Sequence, residues 1–305
     1  MAAKHGFTSP LRYPGGKGRL APFFKSVIRE NNLLDGDYVE VYAGGAGIAW
    51  PLLFGEYVQH IHINDINKSI YSFWRSVLQT PEGLCRLIYD VPVTVEEWKR
   101  QRAIQQEPAK YTLLELGFST FFLNRTNRSG IIGGGVIGGK AQAGEWKLDA
   151  RFNKLDLIRR IQRLARYADR IKVYNMDAAK FMAEVLPKLP PRALVYLDPP
   201  YFAKGNDVYE NHYAPEDHSA IAALVAKLAH PWIVSYDDAP EIANLYSDYR
   251  KMDYRIHYSA QSRYSGAEVM FFSQSLVIPR LAGRSRCPSS PDASKLETGR
   301  HQCNP

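Results

Sequence analysis

The chain has 305 residues, 45% hydrophobic, 12% aromatic and 23% charged, a profile that excludes disordered, collagen-like and coiled-coil readings of the whole chain, and a small disulfide scaffold. At about 100 to 200 residues per domain, this length fits one large domain or a core with a second, smaller domain. Thirty-nine Lys and Arg against thirty-one Asp and Glu leave a formal charge of +8, which favours an acidic partner such as nucleic acid. The basicity is local: residues 124–172 carry twelve basic and four acidic side chains, residues 280–305 carry five and two, and the remainder is slightly acidic. Such a distribution is expected when one segment meets phosphates.

From Asp37, the run DYVEVYAGGAGIAWPLLF reads as a short strand, a glycine-rich turn and the start of a helix, the layout of a nucleotide-binding βα unit. A second strand follows at YVQHIHINDIN, where Asp65 lies 18 residues beyond Gly47, close to the roughly 20 expected of an acidic residue that binds a ribose after such a turn. A helix begins near Asn67, and Cys85 falls in a further helical run, EGLCRLI. More strands are expected at 170–177, 193–201 and 231–238, with helical stretches around 217–229 and 240–247. Strands alternating with helices imply an α/β fold with a mainly parallel sheet.

More than a hundred residues separate the second and third strands, whereas a crossover needs little more than about a dozen. An inserted subdomain is therefore expected at 90–155, between catalytic segments 1–89 and 156–279. Seven glycines between Gly130 and Gly144 exclude a long helix there and predict a flexible arm or hairpin. In the next stretch, 156–170, Leu157, Ile158, Ile161, Leu164, Ala165 and Ala168 recur at helical spacing while Arg159, Arg160, Arg163 and Arg166 fall elsewhere; a solvated arginine face is the commoner meaning of that pattern, and phosphate binding the rarer one. The polar, Pro/Ser-rich 280–305 reads as a disordered tail.

Cys85, Cys287 and Cys303 form no C-x-x-C pair and no zinc-ligand pattern, which fits a reducing compartment and no metal. No stretch approaches the ~18 apolar residues of a membrane helix, and the N-terminal residues lack the apolar run of a signal peptide. The expectation is a soluble cytoplasmic protein that does not engage a membrane. Its oligomeric state is not legible, and a monomer is the simplest expectation.

The most specific chemical signal is Asp198-Pro199-Pro200-Tyr201, directly after the apolar strand ALVYL. Binding residues of open parallel sheets sit at the carboxyl ends of strands. Two prolines remove two N–H donors and leave carbonyls to accept, between a carboxylate and an aromatic ring. The alternative is a plain proline turn. Gly44, Gly45 and Gly47 would let a ligand approach the backbone, with Glu40 framing the turn, although turn tightening alone explains such glycines. Asp65 reads equally as a ribose acceptor or as a helix N-cap. Asp237 and Asp238, in SYDD, read either as part of a pocket wall or as caps of the following helix. None of the eight histidines pairs with a Ser or Cys in a nucleophile motif, which argues against a hydrolase.

These motifs together, SPLRYPGGKGRL, EVYAGGAG, INDIN, FLNRTNRSG, NMDAAKF, YLDPPYF and YSAQSRYSGAEVMFFS, resemble the Dam-like (D12 class) DNA adenine-N6 methyltransferases over most of residues 8–278. The resemblance implies a Rossmann-like S-adenosylmethionine-dependent methyltransferase fold with an inserted target-recognition subdomain. It implies methyl transfer from S-adenosylmethionine to N6 of an adenine in double-stranded DNA, as in restriction-modification systems. Asp198, Pro199, Pro200 and Tyr201 would then be catalytic. Tyr13, Lys17, Glu40, Gly44, Gly45, Gly47, Asp65 and Asp177 would hold the cofactor, and Asn124, Arg125, Thr126, Asn127 and Arg128 would contact DNA. The arm after Arg128 departs from the GATC-reading members in being mostly glycine and aliphatic, so relaxed or very short sequence specificity is expected. N4-cytosine methylation is the nearest rival, since those enzymes more often carry Ser in place of Asp198. RNA adenine, protein glutamine and a non-catalytic DNA-binding role on the same fold are more distant alternatives.

Overall fold

The computed structural model describes residues 9–12, 16–202, 213–257 and 265–279; Tyr13, Cys287, Cys303 and the 280–305 tail lie outside the described residues. Five β-branched, largely buried segments form parallel strands: β1 (Gly36–Glu40), β2 (Val58–Asn64), β3 (Ile171–Tyr174), β4 (Leu194–Leu197) and β5 (Trp232–Asp237). Four lie within the stretches read as strands from sequence, and β1 begins one residue before its expected start at Asp37. An antiparallel pair, β6 (Arg250–His257) and β7 (Ser265–Phe272), completes a seven-stranded sheet in the order β3-β2-β1-β4-β5-β7-β6. This is the Rossmann-like methyltransferase arrangement. Strand order reverses between β1 and β4, and in such sheets the crevice outside the carboxyl ends at that point is where ligands bind.

On one face of the sheet lie α1 (Ala21–Glu30), α2 (Ala49–Phe54), α3 (Lys68–Gln79), α4 (Pro81–Asp90), α5 (Val95–Gln106), α6 (Leu113–Thr126) and α7 (Lys154–Ala165). On the other lie α8 (Ala178–Glu184), α9 (Pro215–Val225) and α10 (Pro240–Leu245). The caps follow local chemistry. Asn67 accepts from Ser69 N at 2.8 Å to open α3, and Thr112 with Glu115 forms a capping box at α6. Trp98, Phe118, Phe121, Phe122 and Phe152 of the 90–155 stretch share one apolar cluster with Tyr38, Ile61 and Ile63 of the sheet. The core is thus continuous from sheet to insert. Among the described residues no helix is long and apolar enough to cross a membrane.

The glycine-rich stretch doubles back as a short hairpin: Asn127 and Val136 form an antiparallel bridge, and Ile137 N donates to Thr126 O at 2.8 Å. Helix α7 ends at Ala165, before the expected 170. Two of its arginines have partners of note, Arg163 lying 3.9 Å over the Phe54 ring and Arg160 pairing with Asp156 at 2.6 Å.

Candidate active site

Side chains alternate across a strand, so Glu40 shares a face of the sheet with Tyr38, Asp198 with Tyr196, and Glu268 with Met270. The polar members sit at one end of that apolar face and close on one another. Ser235 Oγ donates to Asp198 Oδ1 at 2.7 Å, and Tyr196 OH lies 2.7 Å from the same hydroxyl; with the Ser235 proton committed to Asp198, Tyr196 is the donor. Lys17 Nζ donates to Glu268 Oε2 at 2.6 Å and lies 3.3 Å from Asp198 Oδ1, Tyr201 OH and Tyr254 OH. Tyr201 OH donates to Glu268 Oε1 at 2.7 Å. Lys17 therefore joins the N-terminal YPGGK motif to the DPPY motif.

The Lys17 and Glu268 side chains are 6% and 2% exposed, whereas Asp198 keeps 22% of its side-chain surface open. Burial pushes the Asp198 carboxyl above its ordinary range and Glu268 adds to the rise, while Lys17 and the Ser235 hydroxyl pull it back. Glu40 is pushed up to about 8 by burial, opposed by Ala49 N–H, which donates to it at 3.1 Å.

The glycine turn after β1 is anchored through its carbonyls. Trp74 Nε1 donates to Gly44 O at 2.9 Å, and Trp50 Nε1 and Ser9 Oγ donate to Gly45 O at 3.2 and 2.7 Å. Gly44 adopts a left-handed φ of +45°, which glycine tolerates without the clash a Cβ brings. At Gly47 a Cβ would stand 3.0 Å from Gly18 N, so the Lys17–Gly18 backbone lies directly against the turn. Asp65, after β2, accepts Gly44 N and Asn67 N, each at 2.9 Å. Asn67 caps α3, so the capping alternative for Asp65 falls away. Burial raises the Asp65 carboxyl to about 6, with both N–H groups opposing. Asp177, after β3, is exposed and caps α8, its Oδ1 accepting Ala179 N at 2.9 Å and Lys180 N at 3.1 Å. A pocket of about 430 Å3 adjoins Asp65 along the chain, lined by Ile66, Lys68, Arg102, Gln105 and Ile132 among others.

The NRTNR run is placed differently from the cofactor residues. Asn124, Thr126 and Asn127 are fully buried and Arg125 is 7% exposed; Arg128 presents its side chain to solvent. Asn124 accepts Arg12 N at 2.7 Å and donates to Arg12 O and Gly130 O at 2.6 and 2.7 Å. Asn127 donates to Ile131 O and Ile132 O at 2.9 and 2.7 Å and accepts Trp98 Nε1 at 2.6 Å. Arg125 Nε donates to Pro10 O at 2.7 Å, and Thr126 Oγ1 to Phe122 O at 2.8 Å. These groups hold residues 9–12 and the start of the glycine-rich loop.

In SYDD, Asp237 Oδ1 accepts Phe202 N at 2.9 Å, so it fastens the chain just beyond DPPY. Asp238 pairs with Lys251 at 3.0 Å, and α10 has no side-chain cap, so the capping alternative fails for both residues. Ser235 lies in the SYDD motif read as part of a pocket wall, whereas Tyr196, Tyr254 and Glu268 were not singled out from sequence. The available signal was one acid, Glu268, between apolar residues in a strand that the sequence reading did not separate. Among the described residues no group of three or more His, Cys, Asp or Glu could hold a metal ion.

No curated protein matches the sequence. Similar solved structures include a candidate RNA methyltransferase from Pyrococcus horikoshii, at 10% identity and a TM-score of 0.42 over 89% of this chain and 93% of that one. Another is the rRNA methyltransferase AviRa from Streptomyces viridochromogenes, at 12% identity and a TM-score of 0.38 over 85% and 84%. The sequence profile of the D12 class N6 adenine-specific DNA methyltransferases matches residues 13–263, from the YPGGK motif past DPPY. The match spans most of the chain and takes in the glycine turn, Asp65, Asp177 and the Lys17–Asp198 junction, and the chain belongs to the D12 class N6 adenine-specific DNA methyltransferase family.

Proposed function

We propose that this protein transfers the methyl group of S-adenosylmethionine to N6 of an adenine flipped out of double-stranded DNA, in the cytoplasm. The observation that carries the reading is Asp198-Pro199-Pro200-Tyr201 at the carboxyl end of β4, beside the reversal of strand order, with Asp198 oriented by Ser235 and Lys17. The adenine amino lone pair is delocalised into the ring and is a poor nucleophile. Two acceptors holding its two hydrogens favour the pyramidal, reactive geometry. Asp198 and the Pro199 carbonyl take those places, Pro200 keeps the turn rigid, and the Tyr201 ring stacks on the extruded base. The Ser235 and Lys17 contacts keep Asp198 available as an acceptor although burial favours its protonation.

The residues present fit the cofactor. A turn with anchored carbonyls at the end of β1 and the carboxylates of Asp65 and Asp177 at the ends of β2 and β3 match an aminoacyl group, a ribose diol and a base amine. Glu40 accepts Ala49 N–H just past the turn, and the Lys17–Gly18 backbone lies against Gly47. S-adenosylmethionine supplies an activated methyl on a sulfonium, so the contribution asked of the chain is in-line positioning.

The 90–155 stretch serves as the target-recognition insert between catalytic segments 1–89 and 156–279. With Asn124, Thr126 and Asn127 committed to backbone partners, Arg128 and the glycine-rich loop are left to meet the bases. Few side chains there reach a base edge, which supports relaxed or very short sequence specificity. Asp198→Ala tests the catalytic assignment: it retains S-adenosylmethionine binding and loses most turnover, whereas near-normal turnover refutes it. Mapping methylated adenines to one strict motif of four or more bases refutes the relaxed specificity.

A further inference from the structure

Arg125 is buried against a carbonyl instead of a carboxylate: its Nε and Nη2 both donate to Pro10 O. Two more arginines attach to the same 9–12 strap. Arg160 Nη1 donates to Ser9 O at 3.1 Å. Arg12 belongs to the strap itself, and its Nη1 reaches Asn127 O at 3.4 Å. Arg151, exposed, lies 5.7 Å from the Trp146 ring centroid and acts electrostatically on both Arg125 and Arg12. The acid acting on Arg125 is Asp156, which already pairs with Arg160 at 2.6 Å.

Arg125, Arg160 and Arg12 thus meet at one strap through backbone carbonyls, with Asp156 paired to Arg160. Burial, then Arg160 and Arg12, hold Arg125 down to about 9, and burial with Arg151 lowers Arg12. A fold-stabilising role explains Arg125, whose position in the last turn of α6 suits a cation. It does not explain why Arg12 and Arg151 crowd the same place.

We propose that Arg12, Arg151 and Arg160, backed by Arg125, form a clamp for a backbone phosphate of the DNA. Guanidinium forks match phosphate oxygens and are the usual choice for holding them. Arg12 stands five residues before Lys17 in the chain, so a phosphate held there fixes the duplex close to the Asp198 site without reading sequence. The inference rests on the DNA reading above.

The test is duplex DNA affinity across a salt series for the wild type, Arg12→Gln, Arg151→Gln and the double variant, on two unrelated sequences. Arg159→Gln, an exposed arginine of α7 outside the cluster, is the control, and S-adenosylmethionine affinity reports intact folding. One phosphate contributes about 0.9 to the salt slope, so the double variant loses at most that and its affinity loss between about 50 and 200 mM salt shrinks at most about three- to four-fold, with each single variant in between. The change is equal on both sequences, Arg159→Gln leaves the slope alone, and Arg12→Lys restores most of it. Wild-type binding with slopes unchanged in both single variants overturns the clamp and leaves the DNA reading standing. A wild type without salt-dependent duplex binding overturns both.

Discussion

Lys17→Met removes the ammonium shared by Glu268 and Asp198 and keeps most of the stem. At 2.6 Å and 3.3 Å the two attractions are each about 5 to 6 kcal/mol at an effective dielectric of about 20, and desolvation of the three groups offsets much of that. What remains after the change is two neighbouring carboxylates, one of them 2% exposed, with their shared cation gone. Breaking a buried pair in this way costs about 3 to 5 kcal/mol. Urea unfolding near neutral pH, compared at unchanged slope, measures the loss as a lower midpoint. The loss shrinks as pH falls, because protonating either carboxyl relieves the repulsion. Lys17 holds the Asp198 carboxyl down, so its removal raises that carboxyl further and moves the acid limb of methylation to higher pH. Lys17→Met with Glu268→Leu is more stable than Lys17→Met alone. A loss under about 1 kcal/mol, or a double variant that merely sums the two singles, refutes the coupled network.

Asn124→Ala leaves Arg12 N, Arg12 O and Gly130 O without their buried partner and costs about 2 to 3 kcal/mol in thermal unfolding; unchanged stability with abolished DNA binding reverses that assignment toward direct base contact. Glu40, raised from its usual value of 4.5 to about 8, contributes stability that is fully present below about 4.5 and lost as pH rises through about 8. Glu40→Gln keeps an acceptor for Ala49 N–H and removes that dependence, so its stability relative to wild type climbs across this window by at most about 1.4 kcal/mol per pH unit. A constant difference across the window contradicts an uncharged Glu40 at neutral pH.

What was legible in the sequence is what local chain chemistry encodes. The β1 run, its glycine turn, the strand before DPPY and the Asn67 start of α3 each carry their signal within a few residues. The Lys17–Glu268 contact joins positions 251 residues apart, and no local pattern announces it. The β6 and β7 strands were missed although Met252, Tyr254 and Ile256 alternate with polar residues in β6 and an apolar run, Val269 to Phe272, ends β7, and Glu268 went with them. The NRTNR run needed the fold for another reason: Asn and Arg suit bases and phosphates, yet the same donors satisfy backbone carbonyls, and burial engages Asn124 and Asn127 in the second use while Arg128 stays exposed. Asp65 shows the converse, since either sequence reading placed it at the β2 end, while its tie to Gly44 N needed the fold.

The role proposed for Asp198 and its neighbours is activation of an adenine amino group in DNA. The most direct measurement incubates the purified protein with methyl-labelled S-adenosylmethionine and unmethylated genomic DNA, digests the product to nucleosides and identifies the labelled one. That activation predicts N6-methyl-2′-deoxyadenosine from the wild type and its loss with Asp198→Ala. N4-methylcytosine, or label that never enters DNA, contradicts it.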